Sequence, residues 1–206
     1  MSHIYAIDGI VPVIDPTAFV HPAATVIGDV LIGPRAYVGP SASLRGDFGR
    51  IVVGAGVNIQ DCCVLHSFPG DECVVEEDGH IGHAAVLHGC KVRRDALVGM
   101  NATVLDHAEI GEGAIVAAAA LVKAGFAVPP GTLVAGVPAK IVRVLAPEER
   151  ANKQAGTRDY HRLVERCHRS FVPTAALPAA DAARLACRIP VVAEGRPLGK
   201  STGKGS

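Results

Sequence analysis

An aliphatic residue recurs every six positions through long stretches of the first two-thirds of the chain. A period of six is neither the 3.6-residue period of an α-helix nor the two-residue alternation of a half-buried strand. It is typical of a parallel β-helix, in which each hexad supplies one short strand and one turn and three hexads close a coil of about eighteen residues. All sixteen positions of the repeat are Val, Ile or Leu: Val20, Val26, Ile32, Val38, Leu44, Val53, Ile59, Leu65, Ile81, Leu87, Val92, Val98, Val104, Ile110, Val116 and Val122.

This period predicts an all-β domain over residues 1–146, because no helical pattern precedes residue 147. We expect the aliphatic side chains to point into the core of the coil. A glycine often follows the aliphatic residue, and we expect glycine or small polar residues to occupy the tight corners. The glycines that follow it are Gly33, Gly39, Gly54, Gly82, Gly99 and Gly111.

The C-terminal part of the chain has a different pattern. Apolar residues at Tyr160, Leu163, Val164, Cys167 and Phe171 follow helical spacing, which predicts an amphipathic α-helix within residues 147–172. We expect it to pack on the β-helix of its own chain or of a neighbouring one. Thr157 is a candidate N-cap of this helix. The segment 173–206 is rich in Pro, Ala and Gly, and we expect a loosely ordered tail.

Charge and composition exclude several functional classes. Lys plus Arg and Asp plus Glu both total 20, so no excess charge favours nucleic acid or an anionic membrane. No apolar run is long enough to span a bilayer and no secretory signal is visible, so we expect a soluble cytoplasmic protein. The six cysteines contain no CxxC pair and are interpreted as buried thiols rather than as a disulfide framework. Any metal would therefore be held by histidine or carboxylate.

Three histidines have a spacing that suggests a metal site. Leu65 and Leu87 are 22 residues apart, which is one coil of 18 plus four residues, and we assign the extra residues to a protruding loop within 67–79. His66 and His88 each follow one of these leucines, so they should stand on one face of adjacent coils. His83 should stand on the adjoining side, turned by roughly 120° in a coil of three hexads. Two chains around a three-fold axis could bring all three together, which predicts a homotrimer with interfacial metal sites.

Three neutral imidazoles with an open fourth position are typical of catalytic Zn²⁺, which lowers the pKa of its bound water toward 7. For any one of these histidines alone, an ordinary surface or corner position is the alternative interpretation. His80 and the other histidines are interpreted as ordinary residues.

Other polar residues precede the histidines. Arg45 should form an ion pair with Asp47 or Asp61 at the subunit interface, either in support of catalysis or as a purely structural pair. Gln60 could hydrogen-bond a metal-bound water or orient a substrate.

These residues resemble the motif of the γ-class carbonic anhydrases, which is Arg-x-Asp, then Gln-Asp, then three histidines. The match covers roughly residues 5–145. It implies a left-handed β-helix, a trimer, zinc or iron bound by His66, His83 and His88, and functional roles for Arg45, Asp47, Gln60 and Asp61.

A narrower resemblance extends to about residue 171 through "GTRDYHRLVERC". It is to the PaaY type of phenylacetate-degradation protein and the related CaiE type, and it implies a zinc-dependent thioesterase that acts on acyl-CoA esters. Pro69 stands where the founding carbonic anhydrase has a proton-shuttling glutamate, and Asp71, Glu72, Glu76 and Glu77 are the nearby acidic residues.

Three alternatives stay open. The same site could hydrate CO₂ reversibly. "GVPAK" at 136–140 also fits the CoA-dependent acyltransferases of the hexapeptide-repeat class. A non-enzymatic trimer in which a metal only joins the subunits is the third.

Overall fold

The computed structural model describes residues 3–189 and shows a parallel β-solenoid of about seven turns followed by a C-terminal helix. The predicted fold class is confirmed. No helix within 3–189 combines the length and the apolar character needed to cross a membrane.

Short strands make up the solenoid, and only two of them are longer than six residues. The strands are β1 His3–Tyr5, β2 Val13–Ile14, β3 Phe19–Val20, β4 Thr25–Ile32, β5 Tyr37–Val38, β6 Ser43–Val53, β7 Asn58–Ile59, β8 Val64–His66, β9 Glu72–Val75, β10 His80–Ile81, β11 Val86–His88, β12 Lys91–Val92, β13 Leu97–Val98, β14 Thr103–Val104, β15 Glu109–Ile110, β16 Ile115–Val116, β17 Leu121–Val122, β18 Ala127–Val128, β19 Thr132–Gly136 and β20 Ala139–Val144. The helices are α1 Pro147–Ser170 and α2 Ala182–Ala186.

The aliphatic residues of the repeat form the core. All except the half-buried Val20 are at most 3 % exposed. Parallel pairing stacks each of them on its counterpart in the next coil, as Val98 on Val116. The expectation for cysteine is met in part: all six thiols are free, but only Cys63, Cys73 and Cys90 are buried.

The prediction for the corners holds in part: some left-handed residues are small polar residues or glycines, such as Ser41, Asn101 and Gly56, but none is a glycine that directly follows the aliphatic residue. The residue with positive φ lies two positions later, as at Ala84 (φ 57°) after Gly82. A Cβ on Gly82 would lie 2.8 Å from the backbone nitrogen of Met100 in the next coil, and one on Gly99 would lie 2.5 Å from that of Ala118. These glycines are therefore required because the stacked coils approach too closely for a side chain.

The three sides of the solenoid differ in what covers them. One side, the helix-covered face (outward residues of β3, β5, β7, β10, β13 and β16), lies under α1. A second side, the charged face, carries an ion-pair ladder in which Arg93 contacts both Glu76 and Glu109. On the third side, the uncharged face, the central outward residues are Thr25, Ser43, Val64, Val86, Thr103 and Leu121.

Helix α1 packs on its own chain. It begins at Pro147, and proline is favoured in the first turn because its missing N–H needs no partner there. Thr157 is consequently not the N-cap: it is buried in the middle of the helix against His80. The Lys153 ammonium donates to the carbonyl oxygen of Asp78 and to the Asp95 carboxylate (2.8 and 2.7 Å), which fixes the helix to two coils.

Two successive coils are lengthened at one corner, between the uncharged and charged faces. Nine residues separate Leu44 from Val53 and ten separate Leu65 from Val75, where the regular step is six. The extra residues lie within the predicted segment 67–79, but the loop is shorter than that segment. Because β9 returns to register at Glu72 and stacks Val75 on Val53, the protruding part is residues 67–71.

The predicted tail falls only partly within the described residues. Between residues 173 and 189 the chain is exposed and contains one short helix, α2. Residues 190–206 lie outside the described range.

Candidate metal centre

His66 and His88 stand side by side at the lengthened corner. Strand pairing places His66 next to His88 on adjacent coils, in the register that a 22-residue step predicts. Nδ1 of His66 lies 3.0 Å from Nε2 of His88, so the two imidazoles turn one nitrogen each toward a common point.

Each of the two imidazoles has a carboxylate on its other nitrogen. Asp47 Oδ1 lies 3.2 Å from His66 Nε2, and Asp106 Oδ1 lies 2.5 Å from His88 Nδ1. A carboxylate only accepts hydrogen bonds, so in a neutral imidazole the proton is held on the nitrogen that faces it. The lone pairs of His66 Nδ1 and His88 Nε2 are thereby left available.

His83 is held in the same way at a different corner. Its Nδ1 lies 2.6 Å from Asp61 Oδ2, which leaves Nε2 available. Asp61 and His83 lie where the helix-covered face meets the uncharged face, whereas His66 and His88 lie at the opposite edge of the uncharged face. Within residues 3–189 of one chain, no group of three or more His, Cys, Asp or Glu side chains is placed to hold a metal ion.

The donor set fits zinc. Zn–N bonds of about 2.0–2.1 Å at the tetrahedral angle separate two ligand nitrogens by roughly 3.3 Å, close to the 3.0 Å between His66 Nδ1 and His88 Nε2. Zinc-binding histidines generally donate their other ring N–H to a carboxylate or a carbonyl, and all three histidines here face a carboxylate.

Arg45 supports the corner electrostatically. Its guanidinium donates to Asp47 Oδ2 at 2.7 Å, the first of the two pairings predicted for it. Burial raises the pKa of Asp47, but the hydrogen bond and charge of Arg45 outweigh this and hold that pKa below its usual value. Burial and the charge of Arg45 lower the pKa of His66, which favours the neutral, ligating imidazole.

Gln60 lies at the edge of the helix-covered face rather than beside the histidine pair. Its amide nitrogen is 2.9 Å from Asn58 Oδ1 and 2.7 Å from His80 Nε2. The orienting role predicted for Gln60 stays a prediction.

Asp106 belongs to this corner and was missed in the sequence. It follows His88 by 18 residues, which is one coil, so a step of one coil from each histidine was the signal that could have found it.

The stacked hexads define the class of this protein: it has the fold of the hexapeptide-repeat proteins, a class that includes acyltransferases. A solved structure from Bacillus cereus, provisionally named an acetyltransferase, is similar with a TM-score of 0.78 and 37% identity over 79% of this chain and 95% of that one. A hexapeptide transferase family protein from Anaplasma phagocytophilum is similar with a TM-score of 0.76 and 38% identity over 79% of this chain and 96% of that one.

The chain belongs to the family of the carnitine operon protein CaiE. The CaiE of Escherichia coli K12 is 52% identical over 170 residues, which are 82% of this chain and 87% of that protein. The CaiE of Proteus sp. is 47% identical over 181 residues, 88% of this chain and 92% of that protein. No family model matches the chain.

Proposed function

We propose that the chain is a metal-dependent acyl-CoA thioesterase that works as a homotrimer. His66 and His88 of one subunit and His83 of its neighbour would hold zinc, with iron as the second possible metal. The observation that carries the proposal is the pair of imidazole nitrogens 3.0 Å apart, each ring fixed by its own carboxylate.

The uncharged face supports the trimer. Of the three sides, one is covered by α1 and one carries the ion-pair ladder, whereas Val64 and Val86 are 40% and 37% exposed on the third. The histidine pair lies at one edge of this face and His83 at the other. If three copies pack through this face around a three-fold axis, one edge of each subunit meets the opposite edge of the next.

The residues of the chain have separate tasks in this proposal. A bound zinc ion supplies a Lewis acid and lowers the pKa of a coordinated water. Asp47, Asp61 and Asp106 hold the protons on the outer nitrogens of the three imidazoles, which orients their lone pairs. Arg45 keeps Asp47 ionised, so that Asp47 can accept a hydrogen bond from the N–H at His66 Nε2.

The reaction is hydrolysis of a thioester. Water oxygen bonds to the carbonyl carbon, the C–S bond breaks, and the products are a carboxylic acid and the thiol of CoA. The resemblance to thioesterases of phenylacetate degradation motivates this substrate class. CO₂ hydration at the same site is expected to be slower, because Pro69 replaces the shuttle glutamate and fast hydration needs proton export.

CoA-dependent acyl transfer is the second candidate, and the names of the two solved relatives favour it over hydrolysis. In that reaction His66 or His88, each oriented by a carboxylate, would remove a proton from an amine or hydroxyl acceptor. Such a base needs one histidine, whereas the proposed site pairs three histidines with carboxylates.

The test is metal analysis of the purified protein followed by turnover of a panel of aryl- and alkyl-CoA esters. Each ester is assayed with and without amine acceptors, and CO₂ hydration is followed by stopped flow. We expect one zinc or iron per chain and acceptor-independent release of CoA, both lost in His66→Ala. The matched control is His107→Ala, since His107 is exposed at the same corner and pairs with Asp71.

Acceptor-dependent turnover that survives chelation would reject the thioesterase in favour of the transferase. A monomeric protein in sedimentation would reject the trimer and its metal site together. Cytoplasmic localisation and the absence of nucleic-acid and membrane partners also stay predictions.

A further inference from the structure

Two phenylalanines stand exposed beside the histidine pair. Phe48 is 60% exposed and its ring centroid lies 5.5 Å from that of His66. Phe68 is 54% exposed and meets His88 edge-to-face at 4.7 Å. The chain has only five Phe and no Trp, so two solvent-exposed Phe side chains at one corner require an explanation.

These rings are carried by the two lengthened coils, which hold each other in place. Gly49 packs directly on the next insert, because a Cβ there would collide with the carbonyl oxygen of Phe68 and lie 2.8 Å from Ser67 Cβ. Arg50 N–H donates to the carbonyl oxygen of Asp71 at 3.2 Å. The two inserts therefore form one packed unit whose rings are positioned before any ligand arrives.

The phenylalanines lie on the side of the histidines that faces away from the uncharged face. Along the chain, Val64 is on that face, His66 is at the corner, and Phe68 comes next, before the chain enters the charged face at Glu72. Packing of subunits through the uncharged face would leave this side open to solvent. An apolar group delivered to the histidine pair from solvent would pass along these rings.

We propose that Phe48 and Phe68 form the two walls of an acyl subsite, and that the preferred substrates are CoA thioesters whose acyl group is an apolar chain longer than acetyl. The inference rests on the proposed function, since it takes the histidine pair as the place where the thioester carbonyl sits. The CoA moiety is directed away from the two rings.

The subsite makes a quantitative prediction about chain length. Burying one methylene contributes about 0.8 kcal/mol, which corresponds to roughly a fourfold rise in kcat/KM for each CH₂ that reaches the rings. An acetyl group reaches neither wall and should gain nothing from them.

The experiment compares wild type, Phe48→Ala, Phe68→Ala and the double variant on acetyl-, butanoyl-, hexanoyl- and octanoyl-CoA. We expect kcat/KM to rise steeply with length in wild type and to be nearly flat in the double variant. Phe171→Ala is the control, because Phe171 is 47% exposed at the far end of α1 against Phe19 and His21.

A second readout separates this inference from the function. Binding of non-cleavable S-alkyl-CoA thioethers is measured by calorimetry on the same proteins. A length-dependent affinity that vanishes in the double variant supports the subsite even if no thioester is hydrolysed. Turnover without any length dependence overturns the subsite and leaves the thioesterase standing. Dissociation of the Phe variants in sedimentation also overturns it, because the rings would then belong to a subunit interface.

Discussion

His80 and His88 stand eight residues apart on the same solenoid, yet their surroundings differ in kind. His80 packs under α1, with Nε2 2.7 Å from the Gln60 amide nitrogen, Nδ1 3.4 Å from the Thr157 hydroxyl, and its ring perpendicular to that of Tyr160. His88 has a carboxylate on Nδ1 and leaves Nε2 turned toward His66.

The difference between these two histidines lies in the groups that their ring nitrogens face. Both nitrogens of His80 have partners that are neutral and belong to packed elements, so its ring joins α1 to the coils. His88 has one nitrogen fixed by a charge and the other free to bind. The carboxylate, rather than the histidine itself, distinguishes the two environments.

The same substitution at both positions tests whether His80 and His88 have different roles. Asparagine reproduces the Nδ1 side of an imidazole and lacks Nε2. His88→Asn should therefore keep its contact to Asp106 but lose the ligating atom. We expect bound metal and thioesterase turnover to fall to background, with little change in melting temperature relative to the metal-free wild-type protein. Elemental analysis, turnover and calorimetry check this.

His80→Asn is the matched variant in those assays. It should keep its metal and most of its activity, because no atom of His80 reaches the histidine pair. Loss of metal from both variants, or from neither, would mean that the two environments do not differ in the way proposed.

Removing the charge without removing the ligand should have a smaller effect. Asp106→Asn keeps a hydrogen-bonding group beside His88 but no longer fixes the proton on Nδ1, and loss of such a partner typically lowers metal affinity or activity about 10–100-fold. Metal titration against a competing chelator measures it. Asp29→Asn is the control, since Asp29 is paired with Arg50 away from the ring nitrogens. Equal affinity in Asp106→Asn and wild type would contradict the role given to this carboxylate.

The sequence predicted the coil and the pairing of His66 with His88 because both follow from counting residues between apolar positions. The same counting misjudged where the register resumes after residue 67. Val75 stacks on Val53, but this pairing was hidden because the coil below it is also lengthened.

Counting also could not find what surrounds each histidine. Asp106 pairs with His88 from one coil further along, outside the segment that contains the three histidines, so the spacing of the histidines does not point to it. Coil stacking places His80 opposite Asn58, beside Gln60, and α1 folds back over this face. The contact between α1 and this face joins residues 77 positions apart, such as His80 and Thr157, and no local sequence pattern predicts it.

The two variants should differ in stability in the opposite way to activity: His80→Asn should be the less stable one, although it keeps its activity. In His80→Asn the Gln60 amide loses one acceptor under α1, and leaving a packed polar group without its partner costs about 1–3 kcal/mol. Urea unfolding of the metal-free proteins at fixed protein concentration should show this loss in His80→Asn and a clearly smaller one in His88→Asn. A larger loss in His88→Asn would mean that His88, and not His80, has the structural role.

The smallest expected effect is the pH dependence of that stability. Burial, with the charges of Lys153 and His83, lowers the pKa of His80 from 6.5 to about 3. Between these values the unfolded chain takes up a proton that the folded chain does not, so the free energy of unfolding falls as the pH drops below 6.5. From pH 7 to pH 5 the fall should be roughly 1–2 kcal/mol larger in wild type than in His80→Asn.

His66, whose pKa is also lowered, contributes equally to both proteins and cancels in the difference. Urea midpoints at the two pH values measure it, and an equal fall in the two proteins would show that His80 takes up its proton as readily in the folded protein as in the unfolded chain.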